Sequence, residues 1–191
     1  KVGEELGAFY LFQMDGLYQY DGEVPQPLYD LGVRAGDVKY FDYNEDGDIS
    51  DADRMNVGKA IPDFYGGITS NFSYKGFDLS LFGQFSVGGK VMSAWRGVNG
   101  SEGTDHLGLA LSNVKVNDRG ESVEQYFNVS KEVANGYWRG EGTSNTIPRP
   151  VRIGVHTGYD YDYNVQTSTR YLEDASYFKL KTVTLGYTLP E

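Results

Sequence analysis

The chain has 191 residues, and its 27 acidic and 17 basic side chains give a formal net charge of −10. This balance argues against nucleic-acid binding, because the chain lacks the excess of basic side chains that displaces counterions from phosphate. The sequence contains no cysteine, which excludes disulfides, zinc knuckles, iron–sulfur clusters and thiol catalysis. Its 15% aromatic content and 25 glycines favour β-structure over disorder.

Four runs of residues alternate between apolar and polar side chains, as strands do. In chain order they are residues 8–18, 64–74, 77–87 and 177–189. A run of 11 residues measures roughly 36 Å when extended, and a tilt of about 45° lets it span an apolar layer of about 25 Å. The Lys75-Gly76 pair between the second and third runs predicts a tight hairpin.

The segments between these runs differ greatly in length. About 45 residues separate the first two runs and nearly 90 separate the last two, whereas Lys75-Gly76 is minimal. Long loops at one end of the strands and short turns at the other are typical of outer-membrane β-barrels. The chain begins at Lys1 rather than at Met, so we expect it to be processed or to be a piece of a longer protein.

An acidic loop lies between the first two runs, at residues 42–53. Oxygen-bearing side chains occupy loop positions 1, 3, 5, 7, 9 and 12, and Gly47 occupies position 6. This spacing is the register of an EF-hand-type calcium loop, in which glycine permits the sharp turn around the ion. The predicted metal ligands are Asp42, Asn44, Asp46, Asp48 (through its carbonyl oxygen) and Asp53.

The charge of this region supports a bound cation. Residues 37–53 contain seven acidic side chains and one lysine, and such crowding is unfavourable unless a cation relieves it. Asp53 stands where these loops usually have glutamate, so its shorter side chain is expected to bind with one oxygen only. The alternative is an acidic surface turn closed by Asx hydrogen bonds. Any bound Ca²⁺ is expected to have a structural role.

Aromatic side chains in the long segments are candidates for ligand contact. Trp95 and Trp138 could stack on a ligand, with ordinary packing as the alternative. Residues 159–164 alternate tyrosines, including Tyr159 and Tyr161, with acidic or amide side chains. This alternation fits a second ion site, a sugar-stacking patch or an exposed tyrosine-rich loop, and we expect the exposed loop.

Several strings in fixed order carry a family resemblance. They are GDVKY at 36–40, the acidic loop, PDF at 62–64, SYKGFDLSLF at 73–82, NTIPRP at 145–150, RYLEDASYFKLK at 170–181 and TLGYTLP at 184–190. In this order and spacing they resemble the C-terminal part of SusC/RagA-type TonB-dependent outer-membrane transporters. The resemblance covers nearly the whole chain.

The resemblance implies an all-β fold of antiparallel up-and-down strands from a TonB-dependent outer-membrane β-barrel with long extracellular loops. Residues 1–191 would then be part of the barrel region, with the acidic loop at 37–54 and a long extracellular loop region at 89–175. Members of this family form a barrel of about 22 strands filled by a plug. Because four strands cannot close a barrel, we expect this chain to be a piece of such a protein.

The implied function is non-enzymatic import of a nutrient, an oligosaccharide or a peptide, across the bacterial outer membrane. The implied partners are TonB, through parts outside this chain, a SusD-like surface lipoprotein and outer-membrane lipid. One alternative is a secreted, calcium-stabilised β-sandwich that binds carbohydrate through tryptophan and tyrosine. A glycoside hydrolase is disfavoured, because 27 acidic side chains supply a pair of carboxylates almost anywhere.

Overall fold

A computed structural model describes residues 3–93, 110–116, 119, 122–126, 131–153 and 163–189. Most of the regular elements in the described residues are strands, and the α-helices among them are short. The elements in chain order are β1 (Ala8–Leu11), β2 (Met14–Leu17), α1 (Gln26–Asp30), β3 (Val38–Tyr40), β4 (Met55–Lys59), β5 (Phe64–Tyr74), β6 (Phe77–Val87), β7 (Lys90–Met92), β8 (Ala110–Val116), β9 (Ser122–Tyr126), α2 (Lys131–Gly136), β10 (Val151–Ile153), β11 (Leu172–Asp174) and β12 (Tyr177–Tyr187).

The strand pairs are mainly antiparallel, which confirms the all-β prediction. The largest described sheets have the strand orders β12-β6-β5 and β10-β8-β9, and β8 and β10 run parallel. The remaining pairs are β1 with β4, β2 with β3 and β7 with β11. The chain divides into two compact units, which are described separately below.

The first unit contains Lys1–Phe9, Gly58–Met92 and Leu172–Glu191, and we call it the sheet unit. Strands β5 and β6 pair without interruption from Phe64 with Val87 to Tyr74 with Phe77. The turn between them has φ angles of 45° at Lys75 and 81° at Gly76, and two positive values are the requirement of a type I′ turn. The predicted hairpin is therefore confirmed.

Strand β12 pairs with β6 along its whole length but carries a β-bulge. The register places Leu180 opposite Gly83 and Thr182 opposite Phe82, so Lys181 is the extra residue. The bulge reverses the alternation within β12. Simple period-two reading of residues 177–189 does not predict that Phe178 and Leu180 lie on the same face as Val183.

The three long strands have one apolar face and one polar face. The apolar face carries Phe64, Gly66, Ile68, Ser70, Phe72 and Tyr74 of β5, Phe77, Leu79, Leu81, Gly83, Phe85 and Val87 of β6, and Phe178, Leu180, Val183, Leu185 and Tyr187 of β12. The polar face carries Tyr65, Gly67, Thr69, Asn71 and Ser73, then Asp78, Ser80, Phe82, Gln84 and Ser86, then Tyr177, Lys179, Thr182, Thr184 and Gly186. The apolar side chains are open to the surroundings, since Leu185 is 71% and Phe178 67% exposed.

The second unit contains Tyr10–Val57 and Ser93–Tyr171, and we call it the core unit. It buries a cluster rich in aromatic residues, made of Phe12, Leu17, Tyr18, Val24, Leu28, Val33, Val38, Tyr40 and Tyr163. A smaller cluster joins Val133 of α2 to Tyr171. Within the described part of the chain, no helix is long and apolar enough to cross a membrane.

The predicted single run at residues 8–18 is wrong, because the structure has two short strands there. Leu11 and Phe12 are both buried, and so are Leu17 and Tyr18. Neighbouring residues of a strand point to opposite faces, so adjacent buried residues cannot form one half-exposed face. Gly16, with φ of 91°, also departs from strand geometry.

Candidate functional site

The acidic loop lies in the core unit and connects β3 to a 3₁₀ turn at Asp51–Asp53. The short strand β3 places its first and last side chains, Val38 and Tyr40, in the buried cluster. Ile49 packs against the same cluster from within the loop. The loop is therefore attached to the core at both sides of its turn.

Hydrogen bonds inside the loop fold the chain around Gly47, where φ is 82°. Asp42 Oδ2 accepts from the Gly47 N–H at 2.8 Å. Asn44 Oδ1 accepts from the Asp46 N–H at 3.0 Å, and Asp46 Oδ1 accepts from the Asp48 N–H at 2.9 Å. Asp46 Oδ2 also accepts from Asn44 Nδ2 at 2.7 Å, so Asp42 and Asn44 each use one oxygen and Asp46 uses both to fix the turn.

Asp53 closes the loop. Its side chain is fully buried, and its Oδ1 accepts from the Tyr43 N–H at 2.9 Å. Its Oδ2 accepts from the Ser50 N–H at 2.8 Å, and Ser50 Oγ separately accepts from the Ala52 N–H. Asp53 therefore joins the two ends of the loop through backbone hydrogen bonds, in addition to its predicted place among the metal ligands.

Asp42 Oδ1 is buried and has no hydrogen-bond partner within the described residues. A buried carboxylate oxygen without a partner is unfavourable, because it loses its hydration without replacement. As the side chains stand, the described residues contain no group of three or more His, Asp or Glu placed to hold a metal ion. Asn44, Asp46 and Asp48 are exposed, so their side chains can change direction without disturbing the core.

A buried ion pair holds distant segments of the core unit together. Asp37 is fully buried, and Arg149 donates to it from Nε at 2.8 Å and from Nη2 at 2.9 Å. Asn164 donates from Nδ2 to the same carboxylate at 2.8 Å and accepts from the Val38 N–H at 2.7 Å. Burial raises the pKa of the Asp37 carboxyl, and the hydrogen bonds from Arg149 oppose that rise. The network fixes the strand that leads into the acidic loop.

Two buried tyrosines lie beside this network. The Tyr40 hydroxyl donates to the Tyr163 carbonyl oxygen at 2.8 Å. Burial raises the pKa of the Tyr40 hydroxyl and that of the Tyr18 hydroxyl above the ordinary value. Both side chains are therefore neutral in the physiological range and pack as aromatic residues of the buried cluster.

Of the predicted aromatic residues, the structure describes Trp138. Its ring covers Gly36, packs against the buried cluster and donates from Nε1 to Gln19 Oε1 at 3.4 Å. Trp95, Tyr159 and Tyr161 lie outside the described residues. The exposed tyrosine-rich loop expected at 159–164 is wrong at its end, because Tyr163 and Asn164 are buried. Each is held by partners more than 120 residues away in the sequence, and local reading cannot reveal such partners.

Comparison with known proteins finds relatives that are named TonB-dependent receptors. No family model matches the chain. It is 30% identical over 194 residues to TonB-dependent receptor P3 and 31% identical over 190 residues to TonB-dependent receptor P26, both of Formosa agariphila. These alignments cover 100% and 99% of the chain but 16% of each relative. It is also 24% identical over 188 residues to TonB-dependent receptor SusC of Bacteroides thetaiotaomicron, covering 98% of the chain and 14% of that protein.

Proposed function

Because this chain belongs to the SusC-like TonB-dependent receptors, we propose that the protein containing it imports a nutrient across the bacterial outer membrane. The nutrient is an oligosaccharide or a peptide, and TonB supplies the energy. The role is transport rather than catalysis, in line with relatives that are named receptors. The chain spans about one sixth of the length of those relatives, so the remaining parts supply the contacts with TonB.

The observation that carries this proposal is the two-faced sheet of β5, β6 and β12. Each strand has 11 residues, which suits an apolar layer of about 25 Å when strands are tilted. On the apolar face, Tyr74, Phe77 and Tyr187 lie at the hairpin end, and Phe64, Phe85 and Phe178 lie near the other end. Aromatic bands at both ends of an aliphatic surface are typical of membrane barrels.

We place the hairpin turn at Lys75-Gly76 on the periplasmic side, because periplasmic turns are short in such barrels. The acidic loop and the long region at 89–175 are then extracellular. In that position they contact the nutrient and a SusD-like lipoprotein.

The import proposal is tested with the gene for the full-length protein. We expect deletion in the source bacterium to abolish growth on one oligosaccharide or peptide and a plasmid copy to restore it. We also expect the protein to fractionate with the outer membrane, and uptake to stop when TonB is removed. Normal growth of the deletion strain on every nutrient supplied would contradict the proposal.

The acidic loop is proposed to bind one structural Ca²⁺. The ligands are Asp42, Asn44, Asp46 and Asp53 through side-chain oxygens and Asp48 through its carbonyl oxygen. Support comes from the spacing of these residues, from the turn at Gly47 and from the buried Asp42 Oδ1 that lacks a hydrogen-bond partner. Calcium takes six to eight oxygen ligands, so water completes the set.

The calcium proposal is tested by comparing Asp46→Asn with Glu45→Gln in the full-length protein. Both changes remove one negative charge from the loop, but Glu45 is not among the proposed ligands. We expect Asp46→Asn to weaken Ca²⁺ affinity at least tenfold in calorimetric titration and Glu45→Gln to leave it within a factor of two. Equal effects would show a diffuse electrostatic response, and no heat from the unmodified protein would exclude the site.

A further inference from the structure

The core unit contains a cavity of about 440 Å³ beside α2, apart from the acidic loop. Its volume falls within the range of about 300–1,000 Å³ found for small-molecule sites. Apolar and aromatic side chains form most of its described lining, and the charged groups there are guanidinium groups without a carboxylate among them. The residues that matter most are Ala134, Tyr137, Trp138, Arg139 and Arg149.

Trp138 gives the cavity a fixed aromatic surface. Its ring covers Gly36 so closely that this position has no room for a side chain. Its backbone N–H donates to the Ile147 carbonyl oxygen at 3.0 Å, and its Nε1 donates to Gln19 Oε1 at 3.4 Å. A ring that is held on several sides loses little further freedom when a ligand packs against it, which favours binding.

Arg149 is also fixed, but its charge already has a partner. Its guanidinium group donates twice to the buried Asp37 carboxylate, and its backbone N–H donates to the Gly36 carbonyl oxygen at 2.9 Å. Because the two opposite charges lie in contact, the pair adds little net charge to the cavity. Arg149 therefore contributes a rigid edge, and the net positive charge of the lining comes from Arg139.

Arg139 has donors to spare. Its guanidinium carbon lies 4.4 Å from the centre of the Tyr137 ring, and its Nη2 donates to the Ala134 carbonyl oxygen at 2.9 Å. A guanidinium group carries five N–H donors, and within the described residues no carboxylate pairs with this one. The remaining donors suit a carboxylate, which a guanidinium group binds through two parallel hydrogen bonds.

The lining selects an anion with an apolar body. Arg139 repels a cation, and the described lining residues offer no carboxylate to hold one. A strongly hydrated neutral ligand would lose hydrogen bonds to water against Val133 and Ala134, which cannot replace them. An aromatic carboxylate meets neither penalty, because its charge pairs with Arg139 while its ring packs against Tyr137 and Trp138.

We propose that this cavity binds a small organic anion with an aromatic body, with Arg139 pairing with its carboxylate and Tyr137 and Trp138 contacting its ring. The site goes beyond the import function, which neither requires nor predicts it. Its walls also hold the start of β3, since Trp138 covers Gly36 and Arg149 binds Asp37. These contacts fix the geometry of the site before a ligand arrives.

The test measures binding of naphthoate to the purified full-length protein by calorimetric titration. The neutral naphthalene carboxamide and the cationic naphthylmethylamine carry the same rings, so they separate recognition of charge from burial of the rings. Arg139→Met removes the charge and keeps an extended side chain. Lys131→Met is its matched control, because Lys131 is an exposed cation of α2 that is not among the described lining residues. Ala134→Leu fills part of the cavity without changing any charge.

We expect naphthoate to bind at least tenfold more tightly than either analogue. Its affinity should fall at least tenfold in Arg139→Met and in Ala134→Leu and stay within a factor of two in Lys131→Met. Hydrogen exchange of the core unit checks that each variant is folded. Arg139 is exposed, so its variant keeps the proposal testable even if Ala134→Leu does not fold.

The remaining outcomes would overturn the proposal. Similar losses in Arg139→Met and Lys131→Met would mean that the charge of the surface, rather than a contact with Arg139, attracts the anion. Unchanged affinity in folded Ala134→Leu would place the ligand outside the cavity. Equal affinity for all three compounds, or no heat from naphthoate, would exclude the ligand class. In each of these cases the growth test of the deletion strain still decides the import function separately.

Discussion

At the scale of single residues, the ion pair between Asp37 and Arg149 joins two distant segments of the core unit at a fully buried carboxylate. Arg149→Met removes both guanidinium hydrogen bonds and leaves a fully buried carboxylate with hydrogen bonds from Asn164 and the Arg34 N–H. Breaking one side of a buried pair typically costs about 3–5 kcal/mol. We expect hydrogen-exchange protection of Val38–Tyr40 to fall correspondingly in the full-length protein. Arg139→Met, at an exposed arginine, is the control and should leave that protection unchanged.

The same variant has a defined pH dependence. Burial raises the pKa of Asp37, and Arg149 supplies the largest opposing effects, so Arg149→Met raises the folded-state pKa further. A carboxyl group whose folded-state pKa is raised stabilises the fold at pH values below its unfolded-state pKa of about 3.9. That stabilisation is lost as the pH rises through the folded-state pKa. We therefore expect a smaller loss of protection at about pH 5 than at about pH 8. Equal losses would show that the ionisation of Asp37 is not the cause.

The sequence alone predicts the structural role of some residues of the core unit and not of others. The acidic loop is local, and its turn at Gly47 follows from spacing within twelve residues. Asp37 and Arg149 lie 112 positions apart, and Asn164 lies 127 positions from Asp37. The members of a buried polar network are brought together by the tertiary fold. The sequence alone therefore does not distinguish these three residues from the other acidic residues, arginines and asparagines of the chain. Asp37 and Arg149 lie in two of the strings that carry the family resemblance, but neither string indicates that the two side chains pair.

At the scale of elements, the sequence predicts the strands that have one exposed apolar face but does not predict the strands in the core. Residues 64–74 and 77–87 form β5 and β6 with the predicted bounds, because alternation reflects two different surroundings. The prediction of one strand at residues 8–18 is wrong because β1 and β2 contribute adjacent side chains to buried surroundings. The alternation of residues 177–189 does not predict the bulge in β12, because one extra residue shifts the period of the strand without changing its composition.

The bulge leads to a prediction that separates backbone geometry from side-chain chemistry. Deletion of Lys181 removes the extra residue but leaves Leu180 opposite Gly83 and Thr182 opposite Phe82, so Phe178 and Leu180 stay on the apolar face in a regularly alternating strand. Lys181→Gln keeps the bulge and removes only the charge. We therefore expect both the deletion and Lys181→Gln to retain the yield of folded full-length protein within a factor of two. A severalfold loss of yield from the deletion alone would show that folding requires the bulge itself.

At the scale of the whole molecule, the separation of apolar and polar faces predicts different responses to the same charge. Leu81 and Ser80 are neighbours in β6 but lie on opposite faces of the sheet. If the apolar face contacts lipid, Leu81→Arg places a cation near the middle of the bilayer, which costs about 2–4 kcal/mol. The arginine of Ser80→Arg lies instead on the polar face of the sheet. We expect Leu81→Arg to reduce the amount of folded full-length protein in the outer membrane strongly and Ser80→Arg to reduce it little. Quantitative immunoblotting of outer-membrane fractions measures both, and equal losses would contradict a lipid-facing position for the apolar face.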